Sequence, residues 1–404
     1  MSAPAEGTGA VDAYRAYLDH AATTPLRPEA LEAMLPLLTD GFANPSGAHT
    51  ESRRARVALD DARDLLAELL GAAPGEVVLT SGGTEADDLA VHGGWEALAA
   101  ARPEGPPPAV VCSAMEHHAV LRACRSLAAR TGAALREVPS GPDGRIDLAA
   151  LAEACRPDVG LVSVMAVNNE VGTVQPLDEV ARIVAAGAPG AVLHTDAVQA
   201  VPWLDVARTT APAALVSVSA HKFGGPKGSG ALVVRSGARV RPRLDGGGQE
   251  RGRRSGTPNV AGAVGAAAAL AVTVAERDEA VARVGALRDR LKNGLLAGLG
   301  GIQINGSLEH RLPNNLNVSF PGIDLATLLA ALGDIALSSG SACTSGVPEP
   351  SYVVQALGVS EEIANTPLRF GLGRFNTEEE IDYCLGRVIE AVKQLRAMAS
   401  TAAA

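Results

Sequence analysis

Between about residues 28 and 260, short strand-like apolar runs alternate with longer stretches of helical periodicity, and this alternation restricts the fold more than any other feature of the chain. The runs lie at 76–80, 109–113, 160–167, 191–196, 215–219 and 231–235. A strand that is apolar at successive positions has both faces covered, as in a parallel sheet flanked by helices. Helical patterns at 52–70 and 120–130 supply that cover. The expectation is an α/β domain with a mostly parallel central sheet over residues 28–262. An Ala-rich helical pattern follows over 262–298, broken near Gly285. Further strands at 315–320, 335–338 and 368–371 and a closing helix from 377 to about 398 predict a second, smaller α+β domain. It is expected to comprise residues 1–27 and 263–404.

With 404 residues, 47% hydrophobic and 20% charged, the chain has enough apolar content for two packed cores. Its net charge of −10 argues against direct binding to nucleic acid, and the short Arg251, Arg253, Arg254 cluster does not overturn that. The first residues lack the basic start and apolar segment of a secretory leader. The uncharged run 260–275 is short for a membrane span and rich in Ala and Gly, so a buried helix is expected there. Five cysteines without a Cys-x-x-Cys pair form neither a disulfide framework nor a cysteine zinc site. A soluble protein of the reducing cytoplasm is the expectation.

Four of those cysteines sit where a packed thiol belongs. Cys112 ends an apolar run, and Cys124, Cys155 and Cys384 fall in helical patterns. Cys343 differs: it lies in Leu-Ser-Ser-Gly-Ser-Ala-Cys-Thr-Ser-Gly (337–346), a flexible stretch that suits a reactive, mobile thiol as well as an idle one. Lysine is rare, with four against thirty-one arginines. Two of the four, Lys222 and Lys227, fall within Ala-His-Lys-Phe-Gly-Gly-Pro-Lys-Gly. Where arginine is otherwise preferred, a retained lysine points to amine chemistry that guanidinium does not perform.

Several polar residues fall at expected strand ends, where α/β sheets gather ligands. Thr-Ser-Gly-Gly-Thr-Glu (80–85) follows a strand and opens a helix, a phosphate cradle or a plain strand–helix turn. Asp196 ends another strand, either as a helix cap or as the partner of a cationic ring nitrogen. Lys222 follows the next strand. A lysine and an aspartate on neighbouring strand ends are what pyridoxal phosphate requires, the amine for a Schiff base and the carboxylate for the pyridine nitrogen. His117, in Met-Glu-His-His-Ala-Val (115–120), can stack on a ring and shuttle protons, since imidazole titrates near neutrality. Glu116, His117 and His118 also raise a metal, but adjacent residues diverge and the i,i+4 partner is missing, so no metal site is expected.

In order along the chain stand Tyr-Leu-Asp-His-Ala-Ala-Thr-Thr-Pro (17–25), Asn-Pro-Ser (44–46), Ser-Gly-Gly-Thr-Glu (81–85), Glu-His (116–117) and Val-Asn-Asn-Glu-Val-Gly (167–172). Thr-Asp-Ala-Val-Gln (195–199), Ala-His-Lys (220–222), Gly-Gly-Gly-Gln-Glu-Arg-Gly-Arg-Arg-Ser-Gly-Thr-Pro-Asn (246–259) and Ser-Ser-Gly-Ser-Ala-Cys-Thr (338–344) follow. Together they resemble the NifS/IscS group of cysteine desulfurases, pyridoxal-phosphate enzymes of fold type I in the class V aminotransferases. The resemblance spans residues 17–396.

The resemblance implies that Lys222 carries the cofactor as a Schiff base, Asp196 binds its ring nitrogen and His117 stacks on the ring. It places Asn169 and Gln199 near the phenolic oxygen, and Gly83, Thr84, Ser219 and His221 around the phosphate. Thr257 is then contributed to that phosphate by the other subunit of a homodimer. Arg369, with Asn169, holds the substrate carboxylate, a bidentate task suited to guanidinium. Cys343, Lys222 and His117 are the expected catalytic residues. Lys222 displaced by L-cysteine, proton transfers, and attack of the Cys343 thiolate on the substrate sulfur give alanine and a persulfide for a protein acceptor in iron–sulfur assembly or thiolation. An aminotransferase or selenocysteine lyase on the same fold, and a delivery scaffold without activity, are the alternatives. Ala43 and Ala220 stand where the family often has Gly. The last residues, Ala-Ser-Thr-Ala-Ala-Ala, match no evident docking tail of the relatives, so the acceptor is left open.

Overall fold

The six apolar runs between residues 76 and 235 find their backbone partners in one sheet of seven strands. The computed structural model describes residues 15–339 and 350–402, and Cys343 lies outside the described residues. In chain order the strands are Ala16–Tyr17 (β1), Val77–Thr80 (β2), Ala109–Ser113 (β3), Leu135–Val138 (β4), Val159–Ser163 (β5), Val192–Asp196 (β6), Leu215–Ser219 (β7) and Gly230–Val234 (β8). Gln303–Ile304 (β9), Asn315–Ser319 (β10), Ile335–Ala336 (β11) and Pro367–Gly371 (β12) follow. The large sheet has the order β2-β8-β7-β6-β5-β3-β4. Only β8 runs against its neighbours, so β2 points the same way as β7 and the parallel strands beyond it. The carboxyl ends of six strands therefore share one edge.

The apolar pattern explains this sheet. Every residue of β3, β5 and β7 is buried, because helices cover both faces. The edge strand β4, Leu-Arg-Glu-Val, has only Val138 buried and carried no apolar run to announce it. Helix Thr50–Leu69 packs Ala55, Leu59, Ala62 and Leu66 inward, one face at helical spacing. Helix Val260–Ala275 lies against it and against helix Pro28–Leu38. Close approach there needs Gly265, where a Cβ would stand 2.3 Å from the Met34 sulfur.

The Ala-rich pattern does not break at Gly285, which sits inside helix Arg277–Gly298. The break falls at Glu276, where the two helices meet at 70° and the carboxylate accepts a 2.8 Å hydrogen bond from Arg27. The division expected at residue 262 falls within helix Val260–Ala275, whose packing partners belong to the large-sheet region. Among the described residues no single helix is long and apolar enough to cross a membrane.

The smaller sheet has the antiparallel order β12-β10-β9, and β1 pairs in parallel with β11. The chain around residues 16–20 runs between β11 and β12: Leu18 donates to Ala336 O at 2.9 Å, and His20 donates to Gly371 O at 2.9 Å. The same segment then turns toward the carboxyl edge of the large sheet. Leu270, in helix Val260–Ala275, is fully buried in the main hydrophobic core. Leu270→Ala is expected to lower stability by about 2–5 kcal/mol, read as a lower urea midpoint with an unchanged m-value.

Candidate active site

Five of the six segments leaving the carboxyl edge of the sheet, those after β2, β3, β5, β6 and β7, deliver residues to the same place. Gly83 and Thr84 follow β2, His117 follows β3, and Asn169 follows β5. Asp196 closes β6 with Gln199 just beyond, and Ser219 closes β7 with His221 and Lys222 after it. Strands β3 and β5 adjoin although β4 comes between them in sequence, so the connections diverge here and leave a crevice. With Arg369 from β12 and residues 19–22, these side chains enclose a cavity of about 490 Å³. Ten expected site residues line it: Gly83, Thr84, His117, Asn169, Asp196, Gln199, Ser219, His221, Lys222 and Arg369. Thr257 does not. In its own chain it lines a separate 120 Å³ pocket with Thr80, Ser81 and Arg254.

The cavity is built to hold a flat, anionic, amine-reactive group. Lys222 Nζ donates to Ala21 O and Ala22 O, each at 2.7 Å, and Gln199 Nε2 donates to Ala21 O at 2.9 Å. His221 Nδ1 meets Thr23 Oγ1 at 3.1 Å. Gly82 has φ 150°, a conformation that favours glycine, and this turn starts the helical run 83–101. Gly83 and Thr84 open that run and line the cavity, so the positive end of the helix faces into it. His117 Nδ1 accepts from Ala119 N at 3.1 Å and caps helix His118–Thr131, which leaves Nε2 for the cavity. Asn169 Oδ1 is buried and finds no hydrogen-bond donor among the described residues.

Arg369 is 5% exposed. It donates to Asn169 O at 3.1 Å and to Asp19 Oδ1 at 2.8 Å. Asp196 accepts from Val198 N at 2.8 Å, but the residues after it form turns and no helix, so the capping alternative is a local turn contact. Burial raises the Asp196 carboxyl to about 6, against the lowering influence of that N–H and of the Lys222 cation. His117 is lowered to about 4, first by burial and then by the Lys222 and Arg369 charges. His221 is lowered to about 4 by burial and by Lys222 and Lys227. Titration of His117 near neutrality, expected from the free imidazole, is therefore corrected: it stays neutral well into acid.

Two charged cavity residues, Asp19 and Asp87, were not found from the sequence. Asp87 sits one helical turn beyond Gly83, and that i,i+4 spacing from the turn glycine was its only signal. Asp19 lies in the 17–25 motif, but its partner Arg369 is 350 residues away. The metal grouping Glu116–His117–His118 does not converge. Glu116 Oε1 accepts from Met165 N at 2.6 Å, and the His118 ring packs on Tyr352 at 4.7 Å. Asp87, His117 and Asp196 do bring one ligand atom each within 4.8 Å of one another. Lys222 lines the same cavity, and its cation acts on both His117 and Asp196, which opposes a metal ion at that point.

Residues 16–384 match the aminotransferase class V family. The chain is 47% identical over 385 residues to the cysteine desulfurase IscS of Anaeromyxobacter sp. (strain K), covering 95% of this chain and 93% of that one. The chain belongs to the cysteine desulfurase family. Its structure superposes on that of a NifS-like protein with a TM-score of 0.87 at 36% identity, over 94% of this chain and all of the other. It is also similar to SspA, solved in complex with cysteine, with a TM-score of 0.76 at 32% identity over 90% of this chain and all of that one. The family's fold type I architecture is the one described above, with its seven-stranded, mostly parallel sheet. The orphaned Asn169 oxygen, the helix start at Gly83 and the Lys222–Asp196 pair fit the cofactor class implied by the sequence.

Asp19 neutralises a buried guanidinium. Removing it as Asp19→Ala is expected to destabilise the protein by about 1–3 kcal/mol, less than for a fully enclosed pair because the Asp19 side chain is 22% exposed. Urea denaturation of wild type and variant at neutral pH measures the difference.

Proposed function

We propose that the chain is a pyridoxal-phosphate-dependent cysteine desulfurase that converts L-cysteine to L-alanine and leaves the sulfur as a persulfide on Cys343. The observation that carries this is the convergence of Lys222, Asp196, His117 and Arg369 in one cavity. An amine, a ring-nitrogen carboxylate, a stacking imidazole and a carboxylate-binding guanidinium surround the same space. The cysteine complex of SspA supports the substrate.

When bound, the cofactor supplies an electron sink for charge developing on the substrate carbons. The chain's residues do the remaining work. Asp196, ionised above about 6, holds a proton at the ring nitrogen. Asn169 and Gln199 would hold the ring's oxygen side, and the start of the 83–101 helical run with Ser219 and His221 would receive the phosphate. Arg369 takes the substrate carboxylate in its fork, next to Asp19. Ala21 O and Ala22 O aim Nζ of Lys222, which moves the proton from the substrate's α-carbon. His117, neutral at physiological pH, can accept a proton at the cavity face while Nδ1 remains tied to Ala119.

Sulfur transfer falls to Cys343. Its thiolate attacks the substrate sulfur, the Sγ–S bond forms and the Cβ–S bond breaks. The released electron pair goes to the β-carbon, which takes a proton to become the methyl group of alanine. A thiol of an acceptor protein then removes the outer sulfur from Cys343, for iron–sulfur cluster assembly or thiolation. The setting proposed is the cytoplasm. A homodimer is part of the reading, with Thr257 reaching the partner's phosphate site. It is supported by the exposed apolar line Leu31, Leu35, Leu38 and Phe42, the last 82% exposed, at spacings that place them along one side of the chain's first helix and its exit.

Alanine and sulfide release from L-cysteine with a thiol reductant tests the proposal. Cys343→Ser is expected to retain cofactor absorbance and lose at least about 100-fold in kcat, and Lys222→Ala to lose the protein-bound absorbance band. Full turnover by Cys343→Ser would falsify the persulfide route. A pH dependence follows from Asp196. Its carboxyl, raised to about 6 by burial, becomes neutral as pH falls through that value and no longer attracts a protonated ring nitrogen. Cofactor affinity of the stripped protein is expected to rise between about pH 5 and 7, with a flatter slope in Asp196→Asn, measured by fluorescence titration.

A further inference from the structure

The cavity holds a second buried carboxyl that the reaction does not use. Asp87 lines the cavity, is 1% exposed, and brings an oxygen within 4.8 Å of both Asp196 and His117. No arginine or lysine pairs with it among the described residues. Its Oδ1 has no hydrogen-bond partner there, and the nearest ring nitrogen, His194 Nε2, stands 3.6 Å away. His194 is itself engaged on both sides, with Ser163 Oγ at 2.8 Å on Nδ1 and Ser217 Oγ at 3.0 Å on Nε2. Complete burial pushes His194 down to about 3, so it brings no positive charge to Asp87.

Two buried carboxyls within 4.8 Å of one another oppose each other's ionisation, so that one of them tends to keep its proton. The surrounding donors decide which residue keeps it. Asp196 accepts the Val198 N–H and feels the Lys222 cation, both of which favour its anion. Asp87 has the Ser217 hydroxyl, and otherwise faces negative or neutral groups: Asp196, Glu116 and Asp88, with His117 and His194 uncharged. We infer that Asp87 is a positioning residue that acts through Asp196, donating a hydrogen bond from its carboxylic acid to the carboxylate under the ring nitrogen. Burial and the Asp196 charge raise the Asp87 carboxyl well above its ordinary range, in keeping with that role. The acid draws charge density away from the ring, so that the ring nitrogen keeps more of its positive character and the Schiff-base nitrogen at Lys222 is less basic.

This role rests on the cofactor reading above, and its test separates the two. Wild type, Asp87→Asn and Asp87→Ala are loaded with pyridoxal phosphate, and the pH midpoint of the bound cofactor's long-wavelength absorbance is titrated without substrate. Asn still offers an N–H to Asp196, so Asp87→Asn is expected to match wild type. Asp87→Ala removes the donor, and its midpoint is expected to rise by roughly one pH unit, the size of one lost hydrogen bond to a charged group. If Asp87→Ala does not fold, Asp87→Leu gives the same donor-free comparison with a shape close to Asn. Three coloured proteins with one common midpoint overturn the role, as does a midpoint that falls in both variants, which would mean that Asp87 carries a charge. A wild type that stays colourless overturns the cofactor reading and the role of Asp87 together.

Discussion

The Lys222 ammonium is held by the carbonyls of Ala21 and Ala22, 201 and 200 residues earlier in the chain. A half-buried amine needs acceptors, and the lysine's own loop supplies none of those two contacts. Much of the remaining architecture follows from bringing that early segment to the lysine. Residues 16–20 pair with β11 on one side and β12 on the other, which fixes their height above the large sheet. Gln199 grips the same Ala21 carbonyl, and the Arg27–Glu276 pair anchors the segment where the two long helices bend. The cavity is thus closed by backbone from one sheet and floored by side chains from the other.

Electrostatics inside the cavity depend on the same closure. Exclusion of water lowers His117 and His221 to about 4 and raises Asp196 to about 6. These are the directions that burial imposes on a base and on an acid. The site therefore meets its ligands with neutral imidazoles, and its resident positive charges are Lys222 and Arg369. Both are placed to meet groups that carry negative charge or react with an amine. Asp87 and Asp196 together bring a single negative charge to the opposite side.

The large sheet was legible because β2, β3, β5, β6, β7 and β8 each carry adjacent apolar residues and are largely buried on both faces, and such runs have few alternatives. β4 was not, since Leu-Arg-Glu-Val at a sheet edge needs only one buried side chain. The bend near the Ala-rich helices was misplaced because glycine at 285 is a local signal, whereas the actual bend lies at Glu276, whose ion-pair partner Arg27 is 249 residues away. Site residues at strand ends could be read because lysine, aspartate and histidine there have few structural uses. Asp19 and Asp87 were hidden for opposite reasons: one has a distant partner, and the other looks like an ordinary acid in an exposed helical turn. The titration of His117 was misjudged because sequence shows the imidazole but not the depth at which it sits.

Residues 16–20 are synthesised more than 300 residues before Ile335, Ala336 and Gly371, the residues that pair with them. A growing chain can complete the large sheet, including β7 and the lysine that follows it, while this first strand still has no neighbour on either side. The lysine then lacks the two carbonyls that aim it. The order of synthesis thus delays the reactive amine until the small sheet is finished, and a truncated chain ending before β12 would carry every site residue borne by the large sheet without a closed site.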